Sequence, residues 1–362
     1  MTESLEQSSY LSLTTDKLDR VKTKLHQLLQ LLGPLLLGIV IGLLIGAVLI
    51  MMAGADPITA YRAMFNGAFG GKRQLTETIL KTVPLLIIGL GLAVAFRGRV
   101  WNIGAEGQYF IGALFGSVIA LQFSTLPATV LIPAILVAGM IGGALWGLIP
   151  ALLRTRRGMS EIITTLMLNY VAIFIVEYMG RAPLKDPNGF LPESAQFVKA
   201  ARLSYLFGTR LHLGVLIALA LVPLIYVLIW HTPMGFRLRA IGSKESVARF
   251  AGVKVEWTII YVLLLSGALA GLAGIMEVSY LHTRLKGAIS GGYGFTAILV
   301  ALLGRMHPAG VLFAAIFFSA LSIGANSMHT LTGLPRSLAD AIQSLVVLFV
   351  LGFDAYFRLR RS

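Results

Sequence analysis

The chain has 362 residues, of which 57% are hydrophobic and 13% charged, with a mean hydropathy of +0.82. A soluble domain is about a quarter charged, so composition points to an integral membrane protein, and 0 cysteines exclude disulfides and thiolate metal sites. The net charge of +14 sits in short Lys/Arg clusters between apolar runs, the pattern that orients a membrane protein, so a nucleic-acid partner is rejected.

Residues 1–32 are polar and then amphipathic. Leu18, Val21, Leu25, Leu28 and Leu32 recur at helical spacing between Lys17, Arg20, Lys22 and Lys24, which predicts a cytoplasmic N-terminal helix lying on the membrane lipid. Ala53-Gly54-Ala55 resembles a cleavage site, but the run before it is span-length, so it reads as an uncleaved first span.

A bilayer core of about 30 Å needs roughly 20 helical residues. On that scale there are about ten membrane segments, near 33–52, 79–96, 106–121, 128–152, 161–179, 211–230, 257–276, 290–304, 309–326 and 337–355. The alternation of a membrane barrel is missing, so the expected fold class is all-α, a polytopic helical membrane protein with some segments short or broken. Placing both termini in the cytoplasm puts eighteen of the 30 Lys and Arg residues inside. Residues 33–356 then form one membrane domain, followed by a basic cytoplasmic tail, 357–362.

The third and eighth segments are short and start in glycine-rich sequence, Asn102–Gln108 and Gly287–Gly294. Such interrupted pieces occur at membrane depth where protein or a water-filled cavity covers them. Their matching placement in the two halves hints at an internal repeat. The longest outer loop, about 180–210, carries the turn signal Asp186-Pro187-Asn188-Gly189 and suits a docking surface or lid.

Polar residues gather at the first break and after it. Asn102, Glu106 and Gln108 cluster there, and Glu161, Thr164, Thr165 and Asn169 recur at helical spacing on the fifth segment. Asn102, Glu106, Gln108, Thr165 and Asn169 are the candidates to line a solute path or to hold its broken helices together, because buried polar groups need a cavity or a partner. Glu161 can simply complement a helix dipole, as can Asp340 beside Gln343 in the last segment. Gly267, Gly271 and Gly274, with Ala268 and Ala270, read as a stripe for close helix packing. Trp101, Trp230 and Trp257 sit at segment ends as interfacial anchors. His212, His231 and His282 lack i, i+4 partners, so no metal site is expected.

A polar island, His231–Gly252, follows the sixth segment. Thr232-Pro233 ends that segment. Ser243 can cap a short helix, Glu245 suits its positive end and Gly252 can close it. Val247, Phe250 and Ala251 give it an apolar face, with Lys244 and Arg249 exposed. It is either an ordinary positive-inside loop or a docking helix for a partner.

Four stretches in this order, Trp101–Gln108, Ser160–Tyr170, the island and Gly294–Gly304, resemble the permeases of ABC importers for simple sugars and nucleosides, within the branched-chain amino acid and ribose permease superfamily. The resemblance covers about residues 75–355. It implies a bacterial plasma (inner) membrane protein paired with a second permease, a different and shorter one. It also implies a cytoplasmic ABC ATPase and an extracytoplasmic substrate-binding protein. Within the island it implies coupling to the ATPase by Arg237, Arg239, Gly242, Glu245, Arg249, Phe250 and Gly252.

No cofactor is then expected on this chain, and the partner hydrolyses the ATP. The residues agree, since a phosphate-cradling G-x-x-x-x-G-K-[ST] fails at Gly71-Lys72-Arg73. Two other classes compete: an ion-coupled secondary carrier, whose acids should pair at the midplane, and an intramembrane enzyme, for which neither a nucleophile–base pair nor an HExxH motif appears.

Overall fold

The computed structural model describes residues 33, 36–206 and 208–359, so the 1–32 segment and the last three residues of the tail lie outside the described residues. Among the described residues the regular structure is helical: α1 (Leu36–Met52), α2 (Pro57–Phe69), α3 (Lys72–Arg97), α4 (Ala105–Gln122), α5 (Ala128–Arg157), α6 (Glu161–Arg181), α7 (Leu213–His231), α8 (Pro233–Ser243), α9 (Glu245–Phe250), α10 (Val255–Glu277), α11 (Tyr293–Leu303), α12 (Pro308–Thr332) and α13 (Arg336–Leu359). The chain is an all-α polytopic membrane protein.

A helix stands at each of the ten expected segments, but among the described residues seven are long and apolar enough to span, or up to eight if the bent pair α1–α2 counts as one. The shortfall falls on the two glycine-led segments. α4 opens on the polar Glu106 and Gln108, and α11 has 11 residues, about 16 Å of helix against a 30 Å core. α13 runs on through Leu359, so the basic tail starts inside a helix.

The residues fall into two compact units, one running to Met64 and resuming at Ala325, the other Phe65–Gly324. In the first, α1 lies on α13. Gly38, Gly42 and Gly46 repeat every fourth residue, and an ideal Cβ on Gly38 or Gly42 would come within 2.5 Å or 2.6 Å of the Val350 or Val346 Cα. Small-xxx-small spacing of this kind lets helix backbones touch. The Tyr61 hydroxyl donates to the Leu43 carbonyl at 2.5 Å. Asp56 begins α2, accepting from the Thr59 N–H at 2.8 Å.

In the second unit α10 packs against α3, α4 and α5. The expected glycine stripe makes the contact. A Cβ on Gly267, Gly271 or Gly274 would lie 2.3, 2.2 or 2.1 Å from the carbonyl oxygen of Gly143, Gly139 or Tyr109. Gly271→Ala is therefore expected to destabilise the bundle by about 1–3 kcal/mol or more, since the obstacle is backbone and cannot swing aside; a fall in the detergent melting temperature measures it. α3 is buried almost throughout from Thr82 to Phe96, whereas α5 and α6 turn apolar rows outward (Val137, Ile141 and Leu145; Ile163, Met167 and Phe174). Rows of this kind suit lipid tails.

The loop between α6 and α7 is fastened down. Short bridges join Lys185 to Ser194 and Glu193 to Lys286, and Arg284 pairs with Asp186 at 2.9 Å and Glu193 at 3.4 Å. The long loop thus closes onto the segment that leads into α11.

Candidate solute path and coupling segment

The break after α3 begins with a tight stop. The Arg99 N–H donates to the Phe96 carbonyl and the Val100 N–H to the Ala95 carbonyl, both at 3.0 Å, with Arg99 itself in the left-handed region at φ +52°. This is the paired bonding of a Schellman end, with arginine where glycine is usual. Residues 101–104 then lead without helix into α4.

Asn102, fully buried, organises that stretch. Its amide donates to the Gln108 Oε1 at 2.8 Å and to the Ser266 hydroxyl on α10 at 3.0 Å. Its Oδ1 accepts from the Gly104 N–H at 3.0 Å and from the Gln108 Nε2 at 3.2 Å. Both donors and both acceptor sites of the side chain are used. The polar groups at the start of α4, set in an apolar interior, thereby find partners.

α6 supplies the other half. The Thr165 hydroxyl accepts from the Ile103 N–H at 3.2 Å. The Asn169 Oδ1 accepts from the Gly107 N–H at 2.8 Å while its amide donates to the Ile103 carbonyl at 2.9 Å. Asn169→Ala leaves both backbone groups buried and unpaired, at about 1–3 kcal/mol each; a marked loss of thermal stability, with uptake falling in parallel, is the expected result. Glu161 is held by Arg154 at 2.7 Å and takes the Trp101 N–H at 3.4 Å, so it ties the α5–α6 turn to the break.

Glu106, only 3% exposed, joins the two glycine-led segments. Its Oε2 accepts from the Gly294 N–H at 2.6 Å, in the first turn of α11. A Cβ on Gly294 would lie 2.3 Å from the Glu106 backbone nitrogen, so the starts of α4 and α11 touch. The Ser290 hydroxyl takes the Tyr293 N–H at 3.0 Å. Two donors that a helix start leaves open are thereby satisfied, one of them by a carboxylate placed at the positive end of the dipole.

Two participants, Ser266 and Glu277, escaped the sequence reading, and Tyr293 and Gly294 stood in it only as members of the glycine-led stretch. The buried Glu277 closes α10 and accepts from the Tyr293 hydroxyl at 3.2 Å. The Tyr109 hydroxyl donates to the Ile289 carbonyl at 3.2 Å. A lone acid at the end of the 257–276 apolar run was the signal for Glu277. Among the described residues no group of three or more His, Asp or Glu side chains is placed to hold a metal. His212 instead takes the Gly214 N–H at 3.0 Å and caps α7. Asp340 is exposed.

The island after α7 holds two helices, not one. Thr232 does end α7, and its hydroxyl then accepts from the Gly235 N–H at 3.1 Å to cap α8, with Pro233 at the first position. Ser243, expected as a cap, is the last residue of α8. Lys244 occupies the cap position of α9 and offers no side-chain acceptor. Gly252 closes α9 as expected, at φ +78°, with its own N–H on the Arg249 carbonyl and the Val253 N–H on the Ala248 carbonyl, both 3.0 Å.

The coupling candidates divide by where they point. Phe250 is 94% exposed, and Val247, Glu245, Arg249, Gly252 and Arg237 are exposed too, while Ala248 is buried beneath them. Arg249 bonds Glu256 at 2.6 Å and Glu245 at 3.3 Å, which raises its pKa and braces α9 against α10. Arg239 turns inward to donate to the Ile229 carbonyl, and Gly242 packs on the end of α3. A cleft of about 440 Å³ lies beside α9, with Arg154, Ser160 and Glu161 on one wall and Glu245, Arg249 and Glu256 on the other.

Residues 74–351 match the family described as the branched-chain amino acid transport system / permease component. The chain belongs to this permease family. Similar proteins include a glucose ABC transporter permease of Haloferax volcanii, 37% identical over 91% of this chain and 89% of its own length. A guanosine ABC transporter permease of Bacillus subtilis is 36% identical over 90% and 94%. A nucleoside ABC transporter permease of Lactococcus lactis is 32% identical over 87% and 89%. The permease is thus a membrane-embedded transport subunit of an ABC importer, and its family is one of transport components.

Proposed function

We propose that the permease forms the translocation path of a bacterial inner-membrane importer for a nucleoside or a related small polar solute. A separate cytoplasmic ATPase, docked on residues 231–256, hydrolyses the ATP, and an extracytoplasmic binding protein delivers the solute. A second, shorter permease completes the path. The chain binds no nucleotide of its own and carries out no covalent chemistry.

The observation that carries the coupling role is Phe250, a large apolar side chain left 94% exposed on a short helix that Gly252 closes and two ion pairs brace. With the exposed Val247 beside it in the same short helix, it presents the aromatic and aliphatic side chains that protein interfaces bury at their centre. The same reading makes Asn102, Gln108, Thr165 and Asn169 the frame of the path. Their hydrogen-bonding capacity is spent on holding the start of α4, and Glu106 holds the start of α11.

The two relatives whose names specify guanosine and nucleoside support the nucleoside reading. A simple-sugar solute is the second reading, supported by the glucose permease at 37% identity. Uptake into vesicles that hold all the subunits tests both. ATP-dependent accumulation of a labelled nucleoside that excess unlabelled nucleoside blocks and excess sugar does not supports the first. Uptake that continues without the ATPase sinks the whole proposal.

A further inference from the structure

α8 is seated on its neighbours by backbone. At its first turn a Cβ on Gly235 would lie 2.2 Å from the carbonyl oxygens of Leu228 and Ile229, at the end of α7. At its last turn a Cβ on Gly242 would lie 2.0 Å from the Arg97 carbonyl oxygen, at the end of α3. Gly98 reciprocates, since a Cβ there would meet the Leu238 Cδ1 at 2.5 Å, and Leu238 and Ile241 are buried in the seat. The Arg97 guanidinium lies 4.8 Å from the centre of the Trp230 ring and so clasps the end of α7 as well.

The chain just beyond α3 is stiff. The Gly98–Trp101 turn is closed by the Schellman bonds, the Phe96 and Trp101 rings stand 5.0 Å apart, and the next residue is Asn102 at the centre of the amide node. Contacts of backbone on backbone leave no long side chain to absorb a shift.

We infer that Gly242 and Gly98 seat α8 in the end of α3 so that the two move as one body, and that this seat hands a displacement of the cytosolic segment to the start of α4. Gly242 is a positioning residue, its backbone packed on the Arg97 carbonyl, while the exposed α9 is the principal contact within the docked 231–256 segment. The inference rests on the proposed docking at α9.

The chain has 0 cysteines, which permits a direct test. The Leu238 Cγ lies 3.6 Å from the Cβ position of residue 98, close enough for Gly98→Cys and Leu238→Cys to bond. If α8 and α3 move together, oxidising this pair in vesicles that hold the ATPase and the binding protein leaves uptake unchanged. A loss of about tenfold on oxidation, reversed by reductant, means that α8 slides on α3 and overturns the inference.

Gly242→Ala is the second arm. The ATPase is expected to co-purify as before while solute moved per ATP hydrolysed falls about tenfold; a wild-type ratio overturns the inference. Should that variant fail to fold, the oxidised pair decides alone. Co-purification of the ATPase with the wild-type chain is scored separately. Its absence overturns the docking reading and this inference with it, whereas its presence with a sliding pair overturns the inference alone.

Discussion

Phe250→Asp is expected to release the ATPase. A buried aromatic anchor at a protein interface contributes about 2 kcal/mol or more, so association should weaken by roughly thirtyfold, and a desolvated carboxylate adds to that cost. Co-purification of the ATPase with the tagged permease measures the loss, and ATP-driven uptake should fall with it. The membrane domain should keep its melting temperature, because the ring touches little of it. Glu245→Lys is expected to act in the same direction through a different cause, setting a second cation beside Arg249 where an ion pair stood. An ATPase that stays bound to the Phe250→Asp chain would remove the docking role from α9.

Glu106→Ala should be the most damaging change in the solute path. It strips the Gly294 N–H of its acceptor inside the protein, where a hydrogen bond to a charged group is worth about 1.5–3 kcal/mol. It also removes the carboxylate that faces the positive end of α11. Uptake is expected to drop at least about tenfold, with α11 loosened where it meets α4. Glu106→Gln separates geometry from charge, because the amide oxygen can still accept from Gly294. Substantial uptake in Glu106→Gln beside none in Glu106→Ala identifies a residue that positions helices. Equal loss in both points to a need for the charge itself, in contact with solute.

The helices that read most clearly in the sequence are those whose apolar run is long and unbroken, whether it meets protein or faces outward. α5, α10 and the inner part of α3 are long apolar runs, and the α10 glycine stripe announced backbone contact before any partner was known. The Thr232-Pro233 break was equally legible, because proline and a capping hydroxyl act locally.

What escaped depends on distant partners. Asn102 meets Ser266 and Glu106 meets Gly294 across 164 and 188 residues of chain, and nothing local pairs either residue with its partner. The one helix expected in the island started at Ser243, so α8 was not foreseen, and Gly235 and Gly242 are what let it lie against α7 and α3. The Gly38–Gly42–Gly46 repeat was in plain sight within the first apolar run. The five path candidates stood in the sequence as two sets, Asn102, Glu106 and Gln108 at the break and Thr165 and Asn169 on the fifth segment, but their meeting, their bonds to backbone, and the part played by Glu277 and Tyr293 needed the fold.

The long reach of the Glu106–Gly294 bond also sets an order of events at the ribosome. At about 5–20 residues per second, roughly ten to forty seconds of synthesis separate a carboxylate already delivered to the membrane from the amide that will satisfy it. During that interval the first turn of α4 carries a carboxylate whose partner is not yet made, while Thr165 and Asn169 are already there for its backbone. The last bond to close is therefore this one: chains truncated before residue 294 should hold the Asn102–Gln108 stretch through Thr165, Asn169 and Ser266 yet leave the Glu106 carboxylate without the N–H it accepts from.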